Sequence, residues 1–176
     1  MSNPYSSIQR HYMMASVHGA NTKPEVIVRK WLWRHGFRYR LNHKRLPGKP
    51  DIVLTRYKTC IFVNGCFWHG HGVVIPKAGY CEKAIDSSIC CRIPKTNTEF
   101  WVKKIARNQE RDLKVKLQLK AMGWNCITIW ECELKPAKRE ATLESLAFTL
   151  NEIFLQNNRV RPYEVQVIKP MLAAEP

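Results

Sequence analysis

Two short apolar segments, Asp51–Leu54 and Thr59–Val63, most constrain how this chain can fold. Apolar runs of this length indicate buried strands, and we expect the two to pair through a short turn. The first begins with the acid of a Pro-Asp pair. The second leads directly into Asn64–His71, a string that contains two histidines, one cysteine and two large aromatic residues. An acid on one strand, with histidine and cysteine at the end of the next, is typical of a metal-dependent active site.

Two helices carry clear start signals. Thr22 and Glu25 have the capping-box spacing, and the helix that follows is expected to end at His35-Gly36. Thr96 and Glu99 have the same spacing and predict a long helix that stops at Gly123.

The remaining elements are two strands and a helix. Alternation predicts a strand over Phe37–Leu41, an apolar run predicts another over Cys126–Trp130, and helical spacing predicts a helix from about Leu143 to Phe154. The tail contains one strand-like stretch, Tyr163–Ile168. The order α-β-β-β-α-β-α predicts an α/β sandwich around a mixed sheet. With 176 residues, the chain is expected to form one domain.

The long helix has polar residues on its apolar face. That face consists of Trp101, Ile105, Val115 and Leu119. Asn108 and Asp112 fall on the same face. An acid on a core-facing stripe is paired, solvated in a cleft or functional.

The charge balance indicates an anionic partner. Lys and Arg number 29 against 14 Asp and Glu, a net charge of +15. So large an excess in one domain repels itself, and nucleic acid is the partner that most often explains it. An anionic membrane or an acidic protein is the alternative. The six tryptophans favour nucleic acid, because exposed aromatic rings stack on bases or wedge between them.

The same composition bears on the compartment. No stretch approaches the roughly 20 apolar residues that span a bilayer, and the first residues lack the apolar core of a signal peptide. Seven cysteines are an odd number, which favours reduced thiols in a cytosol, some of them bound to a metal.

Several motifs together resemble the very-short-patch-repair mismatch endonucleases. They are Pro50-Asp51, Gly65–His69, Glu99–Trp101, Asn108–Asp112 and Trp130–Cys132, in the same order, over roughly residues 8 to 155. The resemblance implies a restriction-endonuclease-like three-layer sandwich, with a central mixed sheet flanked by helices and a structural zinc site. It also implies a Mg²⁺-dependent endonuclease that nicks double-stranded DNA on the 5′ side of the thymine in a T:G mismatch. Such a nick initiates very short patch repair of deaminated 5-methylcytosine.

The resemblance also divides the chain. It implies an N-terminal DNA-contacting arm over residues 1–21, an endonuclease domain over 22–157 with an insertion loop at 72–92, and a C-terminal tail over 158–176. We expect a bacterial, cytoplasmic, nucleoid-associated monomer that makes no membrane contact. The residues themselves indicate no repair protein as a partner.

The implied catalytic residues are acids and a histidine. Asp51 would bridge two Mg²⁺ ions and the carbonyl of Val63 would be a further ligand, since hard cations prefer oxygen. His69 would activate water, work that suits an imidazole because it titrates near neutral pH. Glu25 and Asp112 would hold metal-bound waters. For Glu25, the capping box is an alternative explanation that needs no catalysis.

The chain departs from the family at two positions. The family usually has a second catalytic histidine where this chain has Asn64, and an amide can donate to a phosphate but cannot act as an acid. We therefore expect turnover or its pH dependence to differ. The family's fourth zinc ligand is a cysteine two residues after His71, and here that residue is Val73.

The implied zinc site needs a replacement for that cysteine. The three matched ligands are Cys66, His71 and Cys132. A cysteine from the insertion would complete a tetrahedral Cys₃His site. Cys90 is preferred because it lies just before Pro94, while Cys81 and Cys91 stay open. Ordinary free thiols without zinc are the alternative.

The implied DNA contacts are aromatic and basic. Phe67, Trp68 and Trp101 resemble an aromatic wedge that enters the duplex beside the mismatch, and Met14 matches a residue that enters from the opposite groove. Core packing is the alternative for Trp101.

Cations would hold the phosphates. Those in the basic loop are Lys44, Arg45 and Lys49, and those on the long helix are Lys103, Lys104, Arg107 and Arg111. A solvated helix face would also explain the second group.

Two rival functions stay open. One is a restriction-type endonuclease of the same fold that cuts unmodified duplex. The other is a non-catalytic, zinc-stabilised DNA-binding domain in which Asn64 marks lost activity.

Overall fold

The computed structural model describes residues 5–6, 8–9, 11–12, 19–41, 43–73 and 90–158. Its sheet has three strands in the order β1 (Ile52–Leu54), β2 (Thr59–Asn64) and β3 (Asn125–Trp130). β1 pairs antiparallel with β2, and β2 pairs parallel with β3. The predicted mixed sheet and these three strands are confirmed.

Three helices surround this sheet: α1 (Lys23–Arg34), α2 (Thr98–Ala121) and α3 (Pro136–Asn157). A 3₁₀ turn over Thr55–Tyr57 joins β1 to β2, and another over Glu131–Leu134 follows β3. None of the described helices is long and apolar enough to cross a membrane.

The helices form layers on both faces of the sheet. Because successive side chains of a strand point to opposite faces, each strand supplies both layers. On one face, α1 and α3 pack over Ile52, Leu54, Ile61 and Ile129. On the other, α2 places Leu119 and Val115 over Val53, Cys60 and Phe62. The expected three-layer, restriction-endonuclease-like α/β sandwich is therefore confirmed.

The predicted strand over Phe37–Leu41 is wrong. Among the described residues, only Arg40 pairs there, in an isolated bridge in which it exchanges both backbone hydrogen bonds with Val53. β1 has three residues, and its alternating backbone turns only Val53 away from β2. The edge of β1 therefore offers one bonding position, which is too few for a strand.

The first capping box is present and the second is absent. Thr22 accepts the Glu25 N–H at the start of α1. The N-cap of α2 is instead Asn97, in the left-handed conformation with no side-chain capping bond. Glu99 forms an ion pair with Lys103 rather than turning back to Thr96. An i,i+4 pair on the helix surface thus takes the carboxylate that the box would use.

The last helix is longer than predicted. It begins at Pro136, because proline fits the first turn of a helix, where its missing N–H has no partner to lose. Leu143 is buried as expected, whereas Phe154 is half-buried and packs against the Tyr57 ring, 5.5 Å away between centroids. The predicted strand at Tyr163–Ile168 lies outside the described residues.

Candidate active site and metal centre

One cavity of about 880 Å³ opens where β2 ends. Its walls come from the first turn of α1, the residues before β1, the end of β2 and the middle of α2. The six residues predicted for catalysis all line it: Glu25, Asp51, Val63, Asn64, His69 and Asp112. The fold thus gathers side chains that lie up to 87 positions apart, from 25 to 112, at one end of the sheet.

Asp51 is fixed by the neighbouring strand. Its Oδ2 accepts a 2.8 Å hydrogen bond from the backbone N–H of Val63. This bond places the carboxylate beside the backbone of the residue whose carbonyl is the predicted metal ligand. Burial raises the pKa of Asp51 above its usual 3.8; the Val63 bond opposes the rise, and the nearby Glu25 carboxylate adds to it. A bound cation would remove this penalty.

His69 and Asp112 form a pair across the cavity. Nδ1 of His69 contacts Oδ2 of Asp112 at hydrogen-bond distance, and each side chain is 23% exposed. Burial tends to raise the pKa of Asp112, but the hydrogen bond and charge of His69, with help from Arg111, outweigh it and lower the pKa below 3.8. The carboxylate is therefore ionised at neutral pH. It selects the tautomer in which Nδ1 carries the proton and Nε2 is free to act as a base.

Glu25 already has partners for both oxygens. Oε1 accepts from the Thr22 hydroxyl at 2.9 Å, and Oε2 accepts from the Asn21 N–H at 3.0 Å. Arg29, four residues further along α1, forms a 2.6 Å ion pair with Oε2. Only 3% of Glu25 is exposed. The carboxylate lies at the cavity wall with its hydrogen bonds satisfied, as the capping explanation requires.

The cavity contains residues to which the sequence analysis assigned no role. Lys116 and Glu131 line it, and Arg29 lies behind Glu25. Spacing could have found two of them, since Lys116 is four residues after Asp112 and Arg29 is four after Glu25, each on the same helical face. Glu131 lies inside the Trp130–Cys132 motif and carried no signal of its own.

Side chains of α2 hold the segment that follows β2. Asn108 donates to the carbonyl of Trp68 at 2.8 Å. Gln109 donates to the carbonyls of Gly70 and Val73, at 3.2 and 2.9 Å. Asn108 thus lies on the core-facing stripe because it supports backbone that has no sheet partner.

An aromatic cluster lies beside this segment. Phe67, Trp68 and Trp101 form edge-to-face contacts, with ring centroids 5.1 to 6.2 Å apart, and Phe100 joins through Trp101. Phe100 is 56% exposed, and the ammonium of Lys104 lies 5.6 to 5.8 Å from three of the rings. Trp101 therefore belongs with the predicted wedge residues rather than with the sheet core.

The basic residues take different positions. Lys44 and Arg45 are exposed in a loop that the buried Leu46 anchors, and Lys49 lines the active-site cavity. On α2, Lys103, Arg107 and Arg111 are exposed and Lys104 is half-buried. Met14 lies outside the described residues.

Four residues form a cluster that could hold a metal ion: Cys66, His71, Cys90 and Cys132. Their ligand atoms all lie within 4.8 Å of one another. Nδ1 of His71 is 3.0 Å from Sγ of Cys90 and 3.3 Å from Sγ of Cys132. A tetrahedral zinc ion with bonds near 2.3 Å requires its ligand atoms to be about 3.8 Å apart, so this donor set fits the ion.

The surroundings of the cluster favour a cation. Burial raises the pKa of the Cys66 and Cys132 thiols, which a bound metal would reverse by binding the thiolates. The His71 ring stacks on Trp130 at 4.0 Å and 7°, which fixes the orientation of its Nδ1. Of the three cysteines left open by sequence, Cys90 joins the cluster. Cys91 instead donates to the Phe67 carbonyl, and Cys81 lies outside the described residues.

Comparison with known proteins identifies relatives of the chain. The family model described as DNA mismatch endonuclease Vsr matches residues 2–74. A type II nicking enzyme, V.NmeAIP of Neisseria meningitidis, is 47% identical over 135 residues, covering 77% of this chain and 86% of the relative. V.XorIIP of Xanthomonas oryzae is 39% identical over 137 residues, covering 76% and 88%. The DNA mismatch endonuclease Vsr of Escherichia coli is 32% identical over 152 residues, covering 86% and 87%.

These relatives are named as nicking enzymes or as a mismatch endonuclease, and DNA endonuclease activity is what they share. Their similarity extends over most of both chains, so it includes the cavity, the aromatic cluster and α2. The chain belongs to the Vsr family of DNA mismatch endonucleases.

Proposed function

We propose that the chain is a Mg²⁺-dependent endonuclease that nicks double-stranded DNA on the 5′ side of the thymine in a T:G mismatch. One observation carries the proposal: the cavity with Asp51 and the His69–Asp112 pair lies next to the aromatic cluster around Trp68, which itself lines the cavity. A nick at a weakened base pair requires these two parts side by side, one for hydrolysis and one for opening the duplex.

The metal ligands we propose are Asp51 and the carbonyl of Val63, with two Mg²⁺ ions. Bound Mg²⁺ would neutralise the scissile phosphate and lower the pKa of a water ligand. The raised pKa of Asp51 supports this assignment, because an acid held beside a second acid is relieved by a cation.

His69 is the general base of the proposal. With Nδ1 donating to Asp112, Nε2 takes a proton from the attacking water, and the ionised carboxylate stabilises the imidazolium that forms. Asp112 would also hold a metal-bound water through its other oxygen, which now accepts from Arg111 at 3.3 Å.

Glu25 and Asn64 have supporting roles in the proposal. Because both oxygens of Glu25 are engaged within the protein, it would act on metal-bound waters by its charge and position. Asn64, 7% exposed at the end of β2, would donate its amide to the phosphate without taking part in proton transfer.

Recognition rests on the rings of Phe67, Trp68 and Trp101. Insertion of such rings costs a few kcal/mol of lost stacking, least at a wobble pair, and this difference selects the mismatch. Lys44, Arg45 and Lys49 would hold phosphates along the backbone, and Met14 would enter from the other groove. A complete set of proposed catalytic residues comes from one chain, which supports action as a monomer.

Zinc is the ion we propose for the cluster of Cys66, His71, Cys90 and Cys132, because three thiols and an imidazole match its preferred ligands. The cluster braces the segment that carries Phe67, Trp68 and His69. Zinc would therefore have a structural role, and no step of hydrolysis uses it.

The test compares matched and T:G-mismatched duplexes, with and without Mg²⁺, for the wild-type protein and Asp51→Ala. Nicking that needs the mismatch and Mg²⁺, and is lost in the variant, supports the proposal. Cutting of matched duplex would indicate a restriction-type enzyme instead. Mismatch binding without any cutting would leave a binding domain.

A further inference from the structure

Lys116 lies where two cavities meet. It lines the active-site cavity, and it also lines a second cavity of about 380 Å³ on the other side of the His69–Asp112 pair. Asn64 borders both cavities too. The lysine is on α2, one turn beyond Asp112, so a rigid helix directs it to the same side as that carboxylate.

Lys116 has no acidic partner among the residues that the structure describes. The other cations near the proposed metal ligands are engaged: Arg29 pairs with Glu25, and Arg111 pairs with Asp112. Lys116 is half-buried, so its ammonium has given up part of its hydration without gaining an ion pair. A cation in that state has free capacity for an anion.

The charge in the cavity suggests which anion. Glu25, Asp51, Asp112 and Glu131 line the wall, and together they repel a phosphodiester. Asn64, at the end of β2, is neutral and offers a dipole but no charge. Lys116 is the cation that a helix holds between Asn64 and Asp112, beside the proposed base.

We propose that Lys116 is a catalytic residue whose ammonium contacts a non-bridging oxygen of the scissile phosphate. It stabilises the negative charge that grows on this oxygen as water attacks, and it transfers no proton. A positive charge held in place before the reaction is effective because no reorganisation is needed in the transition state. This inference rests on the proposed nuclease function and adds a residue to it.

Single-turnover nicking of the mismatched duplex tests the rate effect. We expect Lys116→Met to lower the rate constant about 100-fold, the loss typical of one preorganised donor to a transition-state oxyanion. Lys120→Met is the matched control, since Lys120 is exposed, one turn further along α2 and outside both cavities. The control should keep its rate within about threefold. A Lys116→Met protein that nicks at the control's rate would overturn the inference.

Binding separates contact with the phosphate from a general loss of charge. In the absence of Mg²⁺, affinity is measured for the natural duplex and for one with a neutral methylphosphonate at the scissile position. Neutralising this phosphate should weaken the wild-type and Lys120→Met proteins but leave Lys116→Met almost unchanged. Equal weakening of all three would mean that Lys116 does not contact the phosphate.

Two further controls keep the inference falsifiable. Should Lys116→Met lose its melting transition, Lys116→Gln takes its place, with the same two outcomes required. A wild-type protein that does not nick the mismatched duplex would contradict the proposed function itself. Wild-type nicking with an unaffected Lys116 variant would contradict only the role of this lysine.

Discussion

Asp112 on α2 and His69 in the segment after β2 are joined by a hydrogen bond between the carboxylate and Nδ1. The bond connects the two parts of the chain that form opposite walls of the cavity. It fixes the ring orientation and the tautomer of His69 together. The chemistry of the histidine therefore depends on a helix that begins 29 residues after it, at Thr98.

Replacing Asp112 with asparagine tests this dependence. Asn has nearly the same shape, but it can present an N–H to Nδ1 and so favour the wrong tautomer. We expect single-turnover nicking to fall about 10²- to 10⁴-fold, the upper value being the loss seen when the carboxylate of a Ser-His-Asp triad is converted to an amide. The melting temperature serves as the control for folding. Nicking within threefold of wild type would mean that the pair has no catalytic role.

The raised pKa of Asp51 predicts a stability effect in Mg²⁺-free buffer. A carboxyl whose folded pKa exceeds 3.8 destabilises the folded state once it ionises, and this penalty is absent below pH 3.8 and complete above the folded pKa. Asp51→Asn should therefore raise the melting temperature at pH 7, by about 2–4 °C for each kcal/mol removed. The gain should vanish as the pH falls toward 3.8.

Added Mg²⁺ provides the control for that experiment. Mg²⁺ should raise the melting temperature of the wild-type protein, because a ligand that binds only the folded state stabilises it. Asp51→Asn should respond much less. A variant that is no more stable than wild type at pH 7, or that gains equally from Mg²⁺, would contradict the assignment of Asp51 as a metal ligand.

Two adjacent cysteines allow a matched test of the metal cluster. Cys90→Ala removes a ligand atom, and we expect zinc affinity to fall by more than about 100-fold, beyond the loss caused by altering a supporting residue. Cys91→Ala should keep stoichiometric zinc, because Cys91 donates to the Phe67 carbonyl instead. Metal analysis of both purified proteins gives the answer. Equal zinc content in the two would show that Cys90 is not a ligand.

Gly70 predicts a measurable effect of close packing. Its φ is +63°, and a Cβ there would lie 2.5 Å from Ile105 and 2.7 Å from Gln109. Gly36 has a similar φ of +82° with nothing within 4 Å, so Gly36→Ala measures the backbone cost alone, about 1 kcal/mol. Gly70→Ala should cost a further 1–3 kcal/mol or so for overpacking. Denaturant unfolding compares the two, and equal losses would show that the α2 contact yields freely.

The sequence predicted what depends on local pattern. Thr59–Val63 was identifiable as a strand because a short apolar run ending at polar residues has few other uses, and Thr22 with Glu25 identified the start of α1. Thr96 and Glu99 have identical spacing, yet no box forms, because Lys103 offers the glutamate an alternative partner. Spacing alone does not rank such competing partners.

The site was less predictable wherever neighbouring residues compete. Cys90 and Cys91 are equivalent in sequence, and only the direction of each side chain separates the metal cluster from the Phe67 carbonyl. The helical period places Lys116 on the face of Asp112 but cannot say that two cavities meet there. Both distinctions depend on tertiary packing, which no local pattern records.

The short distance between His71 and Cys90 has a consequence for how this enzyme tolerates change. Their ligand atoms lie 3.0 Å apart, so the two ends of the intervening chain are fastened at one point. The free energy of closing such a loop grows only with the logarithm of its length, by about 0.6 kcal/mol for each doubling. Evolution can therefore lengthen or shorten this stretch cheaply, and an engineer can insert a tag or label there, while the fastened ends keep the active site in place.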